Sequence, residues 1–136
     1  MDEHTQTETL HIHSAMPSLT VNDLQASLAW YRDVLGFTVA EEYSWDGQVR
    51  AIRLKAGPFE LMLGQDDFAK GKDRPKGAGL RLYCVTPQDV DALAAAIQKR
   101  GGKLSQEVKD QSWGTRDFAV VDPDGFNISI TTEVRR

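Results

Sequence analysis

The sequence predicts an α+β fold made of two βαβββ modules, and a weak internal repeat is the main reason. Residues 21–36 and 85–101 share one plan, in which a Val ends an apolar segment, a polar cap follows, and a helix-patterned run stops at a Gly. Strand-like segments and a Gly-marked turn follow each copy, at residues 55–57 and 122–125. A repeat of this length predicts the architecture before any local signal is weighed. Paired modules also form a cleft, and clefts usually bind small molecules.

Composition and charge indicate an ordinary soluble domain. The 136 residues are 40% hydrophobic and 26% charged, and the net charge is only −4. The 16 Lys and Arg residues are scattered, so nucleic acid is not an expected partner. No signal peptide or membrane-length apolar run is visible, and the single Cys84 precludes an internal disulfide. We expect a cytoplasmic protein that does not associate with a membrane.

The chain divides into a short tail and one domain. Residues 1–9 are polar and are expected to form a flexible tail, and residues 10–136 form the domain. Its modules span about 10–65 and 79–133, with a linker at 66–78 that is rich in Gly and charged residues. A linker of this length inside a compact domain is often a mobile flap beside a site.

The first module opens with a β-compatible segment at residues 10–21, in which Pro17 is typical of an edge or bulged strand. Asn22 or Asp23 can cap the helix that follows, and Gly36 can end it. Helical spacing predicts one buried stripe, formed by Leu24, Leu28, Tyr31 and Leu35. Turns at Asp46-Gly47 and Gly57-Pro58 separate the later strands. Those strands are expected at residues 37–45, 49–55 and 59–63.

The second module repeats this order. A strand is expected at residues 80–85, with Thr86 as the helix cap, Pro87 at the first helical position and Asp89 three residues after the cap. The inner face of this helix is predicted to be formed by Val90, Leu93, Ala94 and Ile97. Three strands are expected after Gly101, at residues 103–108, 115–121 and 126–132.

Two motifs resemble those of the vicinal oxygen chelate superfamily, which includes glyoxalases, bleomycin-resistance proteins and extradiol dioxygenases. The first comprises residues 21–24 with Ser27 and residues 30–37, Trp-Tyr-Arg-Asp-Val-Leu-Gly-Phe. The second is residues 122–127, Asp-Pro-Asp-Gly-Phe-Asn. The resemblance spans about residues 14–132. It implies an open, curled mixed β-sheet around a ligand cleft with the helices outside. It also implies a homodimer, in some members with modules exchanged between chains.

The same resemblance implies where a metal would bind. Catalytic members of the glyoxalase branch hold a divalent ion with two side chains from each module. In this sequence those positions fall on Met16, Glu60, Leu80 and Ser129. Only Glu60 is a good ligand, because a thioether, an isobutyl group and a neutral hydroxyl do not replace carboxylates or imidazoles. We therefore expect no metal, no cofactor and no catalytic residue. The alternative is a shifted register that brings in His11 or His13.

Glu60 is the most informative candidate for ligand binding, and it has two interpretations. It is either paired with an Arg such as Arg53 or Arg116, or it anchors a cationic ligand from the floor of the cleft. We favour binding, because no partner acid for catalysis is identifiable. Other candidates come from strand alternation, from aromatic residues near turns and from one Arg. Core packing is the commoner role for the strand residues, core packing and cleft lining are balanced for each Trp, and a structural ion pair is the default for the Arg. They are Met16, Trp45, Met62, Leu80, Leu82, Trp113, Arg116, Phe118 and Ser129.

These observations favour a metal-free small-molecule binding protein of the bleomycin-resistance type. The expected ligand is aromatic or polycyclic, with an antibiotic as one candidate, and cationic compounds are expected to bind better than anionic ones. One alternative is a glyoxalase-class lyase or isomerase that uses Glu60 as base or a metal site that the sequence does not reveal. Another alternative is a protein whose cleft has collapsed and whose surface mediates self-association. No Ser or Cys lies in a nucleophile elbow, and all three histidines fall within the first 13 residues.

Overall fold

The computed structural model describes residues 6–133, and two four-stranded sheets with helices packed against them account for most of that range. The elements of the first module are β1 (Ser18–Val21), α1 (Leu24–Ala29), a π-helical segment (Trp30–Leu35), β2 (Thr38–Trp45), β3 (Gln48–Ala56) and β4 (Phe59–Gln65). The elements of the second module are β5 (Arg81–Val85), α2 (Val90–Lys99), β6 (Gln106–Asp110), β7 (Arg116–Val121) and β8 (Asn127–Thr131).

The strand orders of the two sheets are equivalent. They are β1-β4-β3-β2 and β5-β8-β7-β6, and in each module the first strand is parallel to the last while the other pairs are antiparallel. The α+β fold of paired βαβββ modules is therefore confirmed. The strands form two separate mixed sheets, one per module.

Several local predictions are confirmed by the backbone. The Asp23 side chain accepts a hydrogen bond from the Ala26 N–H at 3.1 Å and caps α1. Gly36 ends the helical run with φ of 102°, a left-handed conformation that glycine adopts without strain. Asp46 and Gly47 have φ of 56° and 71°, the paired positive values of a type I′ hairpin turn.

The predicted strand at residues 10–21 is wrong in its first part. Only Ser18–Val21 forms β1, and Ser18 pairs with Met62. In that register Phe59, the first residue of β4, lies opposite residue 15, so earlier residues have no strand to pair with. Residues 6–16 accordingly carry no helix or strand. The part of the predicted flexible tail at residues 1–5 lies outside the described residues.

The start of the second helix also differs from the prediction. Thr86 was expected to cap it, but the helix begins at Val90, and Asp89 accepts hydrogen bonds from the Asp91 and Ala92 N–H groups at 3.0 and 3.3 Å. The Thr86 hydroxyl instead accepts from the Gln88 N–H at 3.2 Å, which makes a short turn ahead of the helix. The strand predicted at 103–108 is likewise shifted, to Gln106–Asp110.

The core lies between the helices and the inner faces of both sheets. Its fully buried members include Val21, Leu54 and Leu63 from the first module and Ile97 and Phe118 from the second. The predicted helix stripes are confirmed, with Leu35 and Leu93 only partly buried at their margins. No helix in the described part of the chain is long and apolar enough to span a membrane.

A buried hydrogen bond joins the two modules. The Tyr31 hydroxyl, on the π-helical segment, donates to Asp122 Oδ2 at 2.7 Å, and neither residue is more than 4% exposed. Burial raises the pKa of both Tyr31 and Asp122, since each charged form loses its hydration. Nearby, Arg100 donates from Nε to the Val34 carbonyl at 2.9 Å. The modules therefore meet through their helical sides, and the outer face of each sheet lies on the far side from this contact.

The linker is anchored along its second half. Asp66, only 7% exposed, forms ion pairs with Lys76 at 2.8 Å and Arg74 at 3.4 Å. The hydrogen bond from Lys76 keeps the pKa of Asp66 below its usual value. Gly77 packs directly on the backbone of Gly125. Lys76 also donates to Asn22 Oδ1 at 2.6 Å, so the segment contacts both modules.

Candidate functional site

The outer face of the second sheet, which points away from α2, carries a cavity of about 260 Å³. Strand alternation explains which side chains reach it, because Leu82 and Cys84 pack on the core while Arg81 and Tyr83 point the other way. We call this concavity the second-sheet cavity. Its principal lining residues are Arg81, Tyr83, Lys109, Gln111, Trp113, Asp117 and Ser129.

Hydrogen bonds fix the polar groups of the second-sheet cavity. Gln111 Nε2 donates to Asp117 Oδ1 at 2.7 Å, and the Tyr83 hydroxyl donates to Asp117 Oδ2 at 3.4 Å. A guanidinium N–H of Arg81 donates to Ser129 Oγ at 2.8 Å. Both Asp117 and Ser129 are almost fully buried, at 5% and 6% exposure. These bonds hold the floor of the cavity in one arrangement.

Two aromatic side chains form the open side of the same cavity. Tyr83 is 50% exposed and Trp113 is 58% exposed, and the indole Nε1 of Trp113 lies 3.4 Å from the Tyr83 hydroxyl oxygen. Half-exposed rings held beside a polar floor present flat apolar area to a ligand at little conformational cost. The second-sheet cavity thus combines fixed hydrogen-bonding groups with aromatic contact surface.

The outer face of the first sheet is organised around Arg53. Its guanidinium bonds Glu60 in a close ion pair, lies 3.8 Å from Glu41, and donates from Nε to the Tyr43 hydroxyl at 3.2 Å. Hydrogen bonds to Tyr43 and Glu60 raise the pKa of Arg53. Met62 pairs with Arg53 across β3 and β4 and shares this face. In the structure the Glu60 carboxylate is therefore paired with Arg53, which is the first of its two interpretations.

The structure separates the predicted site residues into several places. Glu60 and Met62 lie on the first sheet, whereas Trp113 and Ser129 line the second-sheet cavity. Three others are exposed near element ends: Met16 before β1, Trp45 at the end of β2, and Leu80 before β5, with exposures of 44%, 56% and 40%.

Three predicted positions need correction. Leu82 was expected to share the cleft floor, but it packs against the hydrophobic core because its side of β5 faces α2. Phe118 is fully buried in that core. Arg116 lies outside the second-sheet cavity, where Asp91 at 2.8 Å and Asp110 at 3.3 Å hold it, and it lines a separate cavity of about 600 Å³ at the start of α2.

The sequence interpretation missed Arg81, Tyr83, Lys109, Gln111 and Asp117. For Arg81 and Tyr83 the cause is a register error of one residue in β5, since the repeat aligned Val21 with Val85. Val21 is fully buried whereas Val85 is 57% exposed, so the two valines lie on opposite faces of their sheets. A shift of one residue moves every side chain of a strand to the other face. Arg81 was the only polar signal on the outer face of β5, because Tyr83 and Val85 on that face are apolar or aromatic.

The residues present do not fit the divalent metal of the glyoxalase branch. The register shift puts Arg81 rather than Leu80 on the outer face, and a guanidinium is not a metal ligand. Among residues 6–133, no three His, Cys, Asp or Glu side chains are grouped so as to hold a metal ion. Glu60, the one suitable donor, is engaged by Arg53. His11 and His13 are exposed and lie in the irregular segment before β1.

Comparison with known proteins identifies the family. The sequence profile of the Glyoxalase/Bleomycin resistance protein/Dioxygenase superfamily matches residues 10–130, and the chain belongs to this superfamily. The resemblance inferred from residues 21–37 and 122–127 is thereby confirmed. A bleomycin resistance protein from Geobacillus stearothermophilus is 26% identical over an alignment that covers 89% of this chain and 97% of that protein.

Solved structures share the fold. TioX from Micromonospora sp. ML1 superimposes with a TM-score of 0.72 at 22% identity, and the match covers 89% of this chain and 99% of TioX. A glyoxalase/bleomycin resistance protein from Streptomyces sp. CB03234 has a TM-score of 0.64 at 27% identity, covering 85% of this chain and 96% of that one. The two-module architecture is therefore common to this chain and these proteins.

Proposed function

We propose that this protein binds a small aromatic or polycyclic molecule in the second-sheet cavity and does so without a metal. The observation that carries the proposal is the pairing of half-exposed Tyr83 and Trp113 with the fixed floor of Asp117 and Ser129. Ligand sites commonly combine apolar or aromatic area with a few placed polar groups. Similarity to a bleomycin resistance protein supports this class of function, with an antibiotic as one candidate ligand.

An aromatic probe tests the proposal. We expect 2-naphthalenemethanol to quench tryptophan fluorescence of the wild-type protein on titration. Trp113→Ala should abolish that quenching and weaken binding by about 1 kcal/mol, the usual contribution of an aromatic pair beyond its buried area. Trp45→Ala removes an equally exposed indole from the β2–β3 hairpin and should leave the affinity unchanged. Equal affinities in wild type and Trp113→Ala, with weaker binding by Trp45→Ala, would move the site to the first module.

The absence of a metal is a separate part of the proposal. Its support is the donor set, since Met16, Arg81 and Ser129 supply no strong ligand and Glu60 is bound to Arg53. Elemental analysis of the purified protein should find no stoichiometric Zn, Ni, Fe or Mn. About one metal ion per chain, lost in Glu60→Ala but retained in Glu42→Ala, would contradict this part and favour a glyoxalase-class enzyme.

We further propose that the protein is a homodimer. Val85 and Val121 are 57% and 42% exposed on the outer face of the second sheet, and β1 and β5 are each hydrogen-bonded on one side only. Exposed apolar residues beside open strand edges favour a covering partner, and a twofold dimer is the commonest arrangement.

Light scattering at micromolar concentration tests the dimer. The wild-type mass should be twice that of one chain, and Val85→Lys should shift it towards the monomer, because the new charge would have to be buried. Gln98→Lys places the same charge on the exposed side of α2 and should not alter the mass. A monomeric wild-type protein would contradict this assembly.

We also propose a domain organisation and a cellular location for the protein. We treat residues 10–136 as one binding unit with a short preceding tail, joined internally by the linker at 66–78. Its single Cys84 is half-buried, and burial raises the pKa of the thiol, which disfavours the reactive thiolate. An unreactive lone cysteine suits the reducing cytoplasm, where we place the protein.

A further inference from the structure

We infer that the second-sheet cavity selects planar anions, and specifically aromatic carboxylates. The inference rests on the proposed function and reverses the preference for cations that Glu60 suggested. It follows from three features of the cavity: the positive charge of Arg81 and Lys109, the almost complete burial of the Asp117 carboxylate, and the aromatic surface of Tyr83 and Trp113.

The positive charge comes from Arg81 and Lys109, which line the cavity from β5 and β6. In the described part of the chain, neither has a carboxylate within salt-bridge distance. By contrast, Arg53, Lys76 and Arg116 all have acidic partners. Both cations therefore line one concavity without an ion pair to any described residue, from opposite edge strands of the sheet, and Lys109 lies directly across from Asp117 in the β6–β7 pairing. A bound anion would be the first charged partner of Arg81.

Arg81 is also positioned for recognition. One of its terminal nitrogens donates to Ser129 Oγ at 2.8 Å, and Ser129 is fixed in β8 with 6% exposure. A guanidinium has five N–H donors in a planar fork. The bond to Ser129 orients this fork and leaves donors for a carboxylate, which guanidinium groups bind in a bidentate geometry.

Asp117 is the one acidic residue that lines the cavity, and it is poorly placed to bind a cationic ligand. Asp117 is 5% exposed, and its two oxygens already accept hydrogen bonds from Gln111 and Tyr83. Low exposure leaves little of this carboxylate facing a ligand, whereas the Arg81 guanidinium has N–H donors beyond its bond to Ser129. The charge sum over the lining side chains, two cations and one anion, also remains positive.

The shape of the cavity limits the rest of the ligand. Tyr83 and Trp113 offer ring surface beside Arg81, so a flat ring bearing a carboxylate can contact both at once. A volume of about 260 Å³ lies just below the usual range for ligand sites, about 300–1,000 Å³, and suits one or two fused rings. The first sheet offers no equivalent, because Glu41 and Glu60 already share Arg53.

A matched set of three probes tests the inference by isothermal titration on the full chain. The probes are 2-naphthoate, 2-naphthalenemethanol and 2-naphthylmethylammonium, which share a ring and differ in charge. We expect the dissociation constant to be at least tenfold lower for 2-naphthoate than for the ammonium probe, with the alcohol between them. Raising the salt concentration should reduce the difference in affinity between 2-naphthoate and the ammonium probe, and it should leave the affinity of the alcohol unchanged.

Variants identify the groups responsible. Arg81→Gln should weaken 2-naphthoate about tenfold or more and leave 2-naphthalenemethanol within twofold, while Arg81→Lys should recover part of the loss. Arg32→Gln, on the exposed helical surface, serves as the matched control and should change neither affinity. Circular dichroism would establish that each variant is folded.

The outcomes separate the two proposals. Tighter binding of the ammonium probe, or an unchanged 2-naphthoate affinity in Arg81→Gln, would overturn the anion preference while leaving aromatic binding intact. Failure of all three probes to bind would overturn the proposed function and this inference together.

Discussion

Replacing Asp122 with Ala is expected to lower the free energy of unfolding by about 3–4 kcal/mol, because two buried donors and one partly buried donor would lose the carboxylate that accepts from them. Those donors are the Tyr31 hydroxyl at 2.7 Å and the backbone N–H groups of Asp124 and Phe126, each at 2.8 Å. Asp122 is only 4% exposed, so water would not readily replace it. Urea denaturation followed by circular dichroism measures the change.

Tyr31→Phe is the control for this prediction. It removes only the hydroxyl and leaves the ring in the core, so the expected loss is about 1 kcal/mol. Because the hydroxyl joins the helical part of the first module to the last turn of the second, both variants test how the modules are held together. A loss below about 0.5 kcal/mol in Asp122→Ala would show that this carboxylate does not support the junction.

Gly77→Ala is expected to lower the free energy of unfolding by about 2–3 kcal/mol, as overpacking against rigid atoms does. An added Cβ would lie 2.0 Å from the Gly125 carbonyl oxygen and 2.5 Å from the Phe126 nitrogen. These are backbone atoms of the turn that also holds Asp122, so they are not free to rotate away. Thermal or urea unfolding of the variant provides the measurement.

Gly64→Ala is the matched substitution, because an added Cβ there meets nothing within 4 Å. Neither Gly64 nor Gly77 has positive φ, so the comparison isolates the close contact from backbone strain. The Gly64 variant should remain within about 0.5 kcal/mol of the wild type. Similar stabilities of the two variants would mean that the linker is not packed on the second module as the structure has it.

The sequence was sufficient for the architecture because its strongest signals are local. Gly36 and the Asp46-Gly47 pair need left-handed backbone, and they ended a helix and made a hairpin as expected. The stripe through Leu24, Leu28 and Tyr31 set the face that packs on the sheet. These residues determine whether their segments form a helix or a turn, independently of residues that are distant in the sequence.

The register of β5 could not be predicted in the same way. Two residues separate Val21 from the first helix, but four separate Val85 from the second, because the Thr86 turn and the Asp89 cap are both present. The strand also carries apolar residues on both faces, since Leu82 and Cys84 alternate with Tyr83 and Val85. The alternation of side chains along β5 therefore does not distinguish the face that packs on the core.

The candidate site was harder still, because it depends on contacts between strands. Glu60 and Arg53 come together only through the pairing of β3 with β4, and this pairing settles which state Glu60 adopts. The second-sheet cavity likewise needs Arg81, Lys109 and Ser129 from three strands. Its polar members looked like surface residues in the sequence, which is why the interpretation favoured the apolar ones.

The most direct test of the account is where an aromatic ligand binds. Amide and indole NMR signals of the isotope-labelled protein, recorded during titration with 2-naphthoate, would locate the site residue by residue. We expect the largest shifts from the Trp113 indole N–H and from the backbone amides of Tyr83, Gln111 and Ser129. Shifts concentrated instead at Trp45, Glu60 and Met62, with these signals unchanged, would contradict it.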